Sequence, residues 1–265
     1  MDYLTSTLFQ AVEDCNLSLA VALVDMGADL SAFNENGLTP LMQLAYGKMP
    51  AGILALGAFQ PEALLVQDKY GQSVSMILAR LGKGLGHLVR RLAKLCPAIL
   101  EQADKNGMTV AMHLCMIRDC ESVRVLAEIL PSIYDQADKN GSTVAMYMVV
   151  HGCSPKDALR IVQHAPARLD AIDSYGASLA TLLAERDMLT ALYHLPSINT
   201  AVLRQPVLKA MLQRIDKQLK SFQVAEVIAM GYPIPGNLEH LLKYHHDVTI
   251  EGINKHLALL GHEPI

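Results

Sequence analysis

Tryptophan is absent from this 265-residue chain, and phenylalanine occurs only four times. A core cannot then be organised around large rings; it falls to Leu, Ala, Val, Ile and the thirteen methionines, side chains that pack readily between short helices. Excess positive charge is also lacking. The 22 basic and 26 acidic groups sum to −4, which argues against the phosphate-neutralising surface that dominates nucleic-acid affinity, so nucleic acid is not expected as a partner. Mean hydropathy is +0.24, yet charged or strongly polar residues interrupt every apolar stretch before the ~18–20 residues that a bilayer crossing needs, and no transmembrane segment is expected. Met1-Asp2-Tyr3-Leu4-Thr5 has no basic stretch leading into an apolar run, so cleavable export is not expected either. Cys15, Cys96, Cys115, Cys120 and Cys153 contain no C-x-x-C spacing and sit mostly among apolar neighbours, which suits free thiols in a reducing cytosol. With 51% hydrophobic residues the chain can bury a substantial core, and it reads as soluble and cytoplasmic.

What the chain does contain is a copy of itself. Residues 102–112, Gln-Ala-Asp-Lys-Asn-Gly-Met-Thr-Val-Ala-Met, return at 136–146 with only Met108 changed, to Ser142. A repeat of this period marks a solenoid, whose units cannot each bury an apolar face alone. The turn signal Asp/Asn-x-x-Gly recurs at Asn34–Gly37, Asp68–Gly71, Asp104–Gly107, Asp138–Gly141 and Asp173–Gly176. A helix stopper precedes each of these glycines at constant distance: Gly27, Pro61, Pro97, Pro131 and Pro166. Glycine closes a helix in the left-handed conformation; proline stops it by lacking an N–H and restricting its predecessor. Pro196, Gly231 and Gly261 extend the series.

Between each turn and the next stopper the apolar residues keep helical spacing, enough for two short antiparallel helices. In the fourth unit Val110, Ala111, Leu114 and Cys115 share one face, and Val123, Leu126, Ala127 and Leu130 line the second helix. Ser154-Pro155-Lys156-Asp157 places a hydroxyl at an N-cap, proline at N1 and a carboxylate at N3, which starts the second helix of the fifth unit.

These residues resemble ankyrin repeats, whose pattern is approximately D-x-x-G-x-T-P-L-H-x-A-A followed by a second helix and G-A-D. Leu23-Val24-Asp25-Met26-Gly27-Ala28-Asp29-Leu30 is similar to the second-helix ending and its loop, and Asn36-Gly37-Leu38-Thr39-Pro40-Leu41-Met42 to the next finger and helix start. Later units depart from it: Thr-Pro-Leu-His becomes Ser73–Met76, Thr109–Met112, Thr143–Met146 and Ser178–Thr181, and proline replaces the loop glycine from Pro61 to Pro196. The resemblance implies an all-α, ankyrin-like solenoid of about seven to eight helical hairpins. On that resemblance residues 1–200 are expected to form the ankyrin-like repeats. Residues 201–265 are expected to form degenerate repeats or an atypical helical C-terminal cap, continuous with the solenoid.

The resemblance also implies a non-catalytic protein-binding module, acting through finger tips and the concave face of the first helices and monomeric when alone. It extends by analogy to stand-alone bacterial ankyrin proteins, including effectors delivered into host cells. Lys69 and Tyr70, Lys105 and Asn106, Lys139 and Asn140, and Tyr175 beside Ser174 then occupy successive tips. The bland alternative is that turns are simply polar, though local turn chemistry does not call for Tyr70 or Tyr175. Ankyrin phasing places Gln43, Ile77, His113 and Tyr147 on the exposed side of the first helices, with Met116 and Val150 near the next turn. Aromatic and Met side chains there suit an interface core; the alternative is that they pack against the next unit. Alanine at His113 and Tyr147 is expected to weaken partner capture without changing helicity.

Catalytic and cofactor signatures are missing: no Walker loop, no G-x-G-x-x-G after a strand, no H-E-x-x-H and no G-x-S-x-G. No cofactor or metal is expected. His240, His245, His246, Asp247 and His256 crowd the C-terminal segment, but His240 and His245 lie five apart and His245 and His246 are adjacent, so no i, i+4 pair shares a helix face. His113 and Cys115, two apart on one helix, diverge. Gly82-Lys83-Gly84-Leu85-Gly86 reads as an interhelical turn, and Lys83, Arg90, Arg91 and Lys94 as a solvated basic helix. Two rivals remain: an enzyme using the C-terminal histidines, and a lipid or nucleotide binder using the Lys83–Lys94 helix.

Overall fold

A computed structural model describes residues 2–82, 86–154, 156, 157, 160, 161, 172–186, 188, 225, 228, 249–259 and 261–264. Its first eight α-helices are α1 (Tyr3–Glu13), α2 (Leu17–Asp25), α3 (Pro40–Tyr46), α4 (Pro50–Phe59), α5 (Val74–Leu81), α6 (Gly86–Leu95), α7 (Val110–Met116) and α8 (Cys120–Ala127), with α1 packed on α2, α3 on α4 and α7 on α8. They are followed by α9 (Val144–His151), α10 (Leu179–Glu185) and α11 (Ile250–Leu259). The first helices α1, α3, α5, α7, α9 and α10 contact one another in chain order and form one layer; α2, α4, α6 and α8 form the second. Stopper positions Pro166, Pro196 and Gly231, and the histidines 240, 245 and 246, lie outside the described residues.

A single apolar interior runs from Leu8 to Leu183 through every described repeat. The face expected of the fourth unit is there: Val110, Ala111, Leu114, Cys115, Val123 and Leu126 are fully enclosed, with Ala127 and Leu130 packed at the margin. Each large aliphatic side chain removed from water contributes about 1.5–3 kcal/mol, but the enclosing surface comes from the flanking units. That is why the hairpins stand only in a stack.

Helix starts follow the caps. Thr39 Oγ1 accepts from Met42 N at 3.3 Å, and Thr143 Oγ1 from Met146 N at 3.2 Å. Where the ankyrin pattern has His, Met146 Sδ instead accepts from Thr143 N at 3.3 Å, and Thr181 Oγ1 accepts from Ser178 N at 2.8 Å. Ser154 and Asp157 close a reciprocal cap: Asp157 N donates to Ser154 Oγ at 3.2 Å, and Ser154 N to Asp157 Oδ2 at 3.1 Å.

The prolines do more than stop a helix. Pro61, Pro97 and Pro131 each open a short 3₁₀ turn, Pro61–Leu65, Pro97–Leu100 and Pro131–Asp135, that inserts Leu64, Ile99 and Ile133 into the core. Proline suits that first position because its fixed φ is pre-set for a helical turn and no N–H is missed there.

Each Asp-x-x-Gly is a finger turn. The Oδ1 of Asp104 accepts from Asn106 N and Met108 N at 2.8 and 3.0 Å, and Asn34, Asp68, Asp138 and Asp173 bind their own i+2 and i+4 amides in the same way. Isolated antiparallel pairs, Gln67 with Ser73, Ala103 with Thr109, Ala137 with Thr143 and Ile172 with Ser178, close the bases of the four aspartate fingers. Neighbouring tips are joined through the main chain: Lys105 N donates to Tyr70 O at 3.0 Å, Lys139 N to Asn106 O at 3.0 Å, and Ser174 N to Asn140 O at 2.7 Å. Gly107 has φ +80°, and a Cβ there would stand 2.6 Å from Lys139 N. Gly37 has φ +73° with nothing within 4 Å of such a Cβ.

Gly37→Ala should therefore cost only the left-handed strain, about 1–2 kcal/mol, whereas Gly107→Ala adds a backbone collision and should cost clearly more. Urea denaturation of the two variants checks this; equal losses would show that the fingers do not bear on each other.

Candidate functional site

The fingers and the first-helix layer make one continuous face, because the second carboxylate oxygen of a finger aspartate is taken up by the first helix or the neighbouring finger. His113 Nε2, on α7, lies 3.1 Å from Asp104 Oδ2, and Tyr147 Oη, on α9, donates to Asp138 Oδ2 at 3.0 Å. Ser142 Oγ of the fourth finger donates to Asp173 Oδ2 of the fifth at 2.7 Å. A carboxylate can only accept, so Nε2 of His113 carries the proton of this bond.

His113 is consequently not a solvent-facing residue. It is 5% exposed, and Ile77, one unit earlier in the same column, is 2% exposed. Tyr147 is half-buried, bonded to Asp138 and stacked on His151 with ring centroids 6.0 Å apart. In this placement the two side chains brace a first helix against its finger, so their removal should cost stability. A helical period places the column at the solvent margin; the carboxylate nine residues earlier draws it under the finger.

The exposed members of the face lie elsewhere. Tyr70 is 58% exposed, Tyr175 77% and Met116 52%, while Tyr46 and Val150 border them at the last turns of α3 and α9. Lys69, Lys105, Asn106, Lys139 and Asn140 all stand out, exposed at their tips. The Lys69 ammonium sits 5.1 Å from the Tyr70 ring centroid, a cation–π contact that holds the ring at the tip. One residue not singled out by the sequence joins them: Arg80, at the end of α5, donates from Nη1 to Gln72 Oε1 at 3.0 Å. Its signal was the column Tyr46, Arg80, Met116, Val150 and Glu185, spaced twelve residues after each finger's first residue.

Charge is unevenly paired over the molecule. In the second-helix layer Arg90 meets Glu128 at 3.5 Å and Arg124 pairs with Glu121. Among the described residues, Lys69, Arg80, Lys105 and Lys139 make no ion pair.

Burial holds the Cys115 thiol well above its ordinary range and pushes Cys153 up to about 12, so neither offers a thiolate nucleophile. Among the described residues no group of three or more His, Cys, Asp or Glu could hold a metal ion, and no helix is long and apolar enough to cross a membrane. His256, the described member of the C-terminal histidines, lies in α11 with Nδ1 2.9 Å from Gly252 O. Lys83 lies outside the described residues.

No family model matches the chain, and no curated protein matches it. Among solved structures, the ankyrin repeat domain of Bcl-3, described as a unique member of the IkappaB protein family, is similar in fold: TM-score 0.54 at 22% identity, covering 77% of this chain and 85% of that one. With the paired helix layers and the finger turns, this shows an ankyrin-repeat fold.

Burial depresses the pKa of His113, against the opposing pull of Asp104 and with the help of the Arg80 charge; burial likewise lowers that of His151, beside Arg118 and Arg186. The native state therefore takes up a proton later than the unfolded chain, and stability should fall as pH drops below the ordinary histidine value near 6.5. His113→Gln should flatten this fall between neutral and mildly acid pH in denaturation series; parallel profiles would remove His113 as its source. Tyr147→Phe should cost about 1–2 kcal/mol through the lost bond to Asp138.

Proposed function

We propose that the chain is a non-catalytic protein-interaction module that grips its partner across the finger tips and the adjoining first helices. The observation that carries this reading is a set of large side chains with no structural duty, Tyr70, Tyr175 and Met116, displayed beside unpaired lysines at Lys69, Lys105 and Lys139 on main-chain-bonded fingers. Exposed tyrosine and methionine beside polar groups are what interface centres are made of. Their presentation on a preformed scaffold lowers the ordering cost of binding. Asn106 and Asn140 supply adaptable amides between the lysines, while His113 and Tyr147 contribute by holding the fingers in place. The resemblance to stand-alone bacterial ankyrin proteins extends the reading to an effector acting on a host protein.

A photo-crosslinking residue placed at Asn140 should yield a protein adduct from native cell extract, and the same residue at Lys94 on the second-helix layer should not. Changing Tyr70 and Tyr175 together to serine should reduce adduct formation by about tenfold or more. Equal labelling from the two positions, or none from Asn140, would overturn the reading.

A further inference from the structure

Between the second and third fingers and the end of α5 lies an open recess of about 390 Å³, lined by Tyr70, Gln72, Arg80, Asp104, Lys105 and Asn106. We infer that this recess receives a carboxylate side chain of an acidic segment on the protein partner, held between the Arg80 guanidinium and the Lys105 ammonium. The inference rests on the reading of this face as protein-binding and names the chemistry that the face selects.

Three observations carry it. Arg80 is aimed rather than loose: Gln72 Oε1 takes one Nη1 donor at 3.0 Å. The rest of a planar fork that binds carboxylates in bidentate fashion stays available. Lys105 is anchored at its main chain by the bond to Tyr70 O, and neither cation has an ion-pair partner among the described residues.

The second observation concerns the acid already present. Asp104 lines the recess yet cannot serve these cations, because Oδ1 is held by the amides of Asn106 and Met108, Oδ2 by His113, and the residue is 7% exposed. Its charge still counts: two cations over one fixed anion leave a single positive charge to be met. That matches a monoanionic carboxylate better than a dianionic phosphate, which Asp104 would repel more strongly.

The third is position. In the column Tyr46, Arg80, Met116, Val150 and Glu185, only this unit places a cation, and it does so beneath a finger carrying Tyr70 and next to one carrying Lys105. The Tyr70 ring supplies an apolar wall for the methylenes of an acidic side chain, and the Asn106 amide can bind the backbone of the segment that bears it. The whole chain carries −4, so an acidic guest is drawn to this face by local charge against the average.

The test uses the full chain and a fluorescein-labelled peptide of repeated Gly-Ser-Glu, with Gly-Ser-Gln as its counterpart, read by fluorescence anisotropy. The Glu peptide should bind more tightly than the Gln peptide and weaken with added salt. Arg80→Gln and Lys105→Gln should each reduce its affinity by about fivefold or more, Arg80→Lys by less, and Lys94→Gln not at all. Circular dichroism confirms that the variants stay folded. Equal binding of the two peptides, or Arg80→Gln behaving as Lys94→Gln does, would overturn the inference. So would displacement of the Glu peptide by inorganic phosphate at concentrations where glutarate has no effect. Persistence of the Asn140 crosslink in a protein that ignores the Glu peptide would sink the carboxylate pocket and leave the module reading intact. Peptide binding without any crosslinked protein would do the reverse.

Discussion

The described stack of repeats hangs on the finger aspartate. One carboxylate oxygen closes its own turn by accepting two main-chain amides, and in three of the fingers the other oxygen ties that turn to a first helix or to the finger alongside. Bonds to a charged acceptor are the stronger kind, and here they are used where the stack would otherwise be loosest, in irregular segments that bury little apolar surface. Main-chain bonds between successive tips then turn separate hairpins into a ladder. The helices supply most of the buried area, but the turns decide that one unit sits on the next at a constant spacing.

Constant spacing in turn frees the surface. A scaffold whose geometry is set by Asp, Gly and the main chain leaves the tip side chains and the outward column of the first helices without a folding role. Within this single chain the tips read Glu35, Lys69, Lys105, Lys139 and Ser174, and the outward column Tyr46, Arg80, Met116, Val150 and Glu185, while the Asp/Asn-x-x-Gly frame persists beneath them. The side chains that vary are those that touch nothing essential. Their chemistry is therefore informative about what they meet outside the molecule.

The repeat period, the turn positions and the pairing of helices were legible because each follows from local chemistry: a left-handed glycine, a carboxylate beside two free amides, apolar residues at helical spacing. The reciprocal cap at Ser154 and Asp157 was legible for the same reason. Less visible was what the prolines begin. A Pro read as the end of one helix gives no sign that the next residues form a 3₁₀ turn carrying Leu64, Ile99 or Ile133 into the core. The burial of His113 was not legible because helical phase reports direction around an axis and cannot report a covering finger. The recess at Arg80 was invisible for a related cause: its walls come from two different repeats, and only the stacking distance brings Tyr70, Arg80 and Lys105 together.

The use of methionine where the ankyrin pattern has histidine bears on the same division between frame and surface. A histidine at that helix position offers two ring nitrogens to the loops around it, whereas Met146 offers a single weak acceptor to Thr143 N. Met76, Met112 and Met146 are wholly enclosed, so at these positions apolar packing has taken over from polar bridging. Polar bridging is made instead by His113 and Tyr147, which reach the finger carboxylates from the very next position on the same helices. This arrangement places titratable groups directly beneath the finger face, and it couples the charge state of that face to the positioning of the finger tips: a proton gained by His113 adds positive charge next to Asp104, which lines the recess together with Arg80 and Lys105.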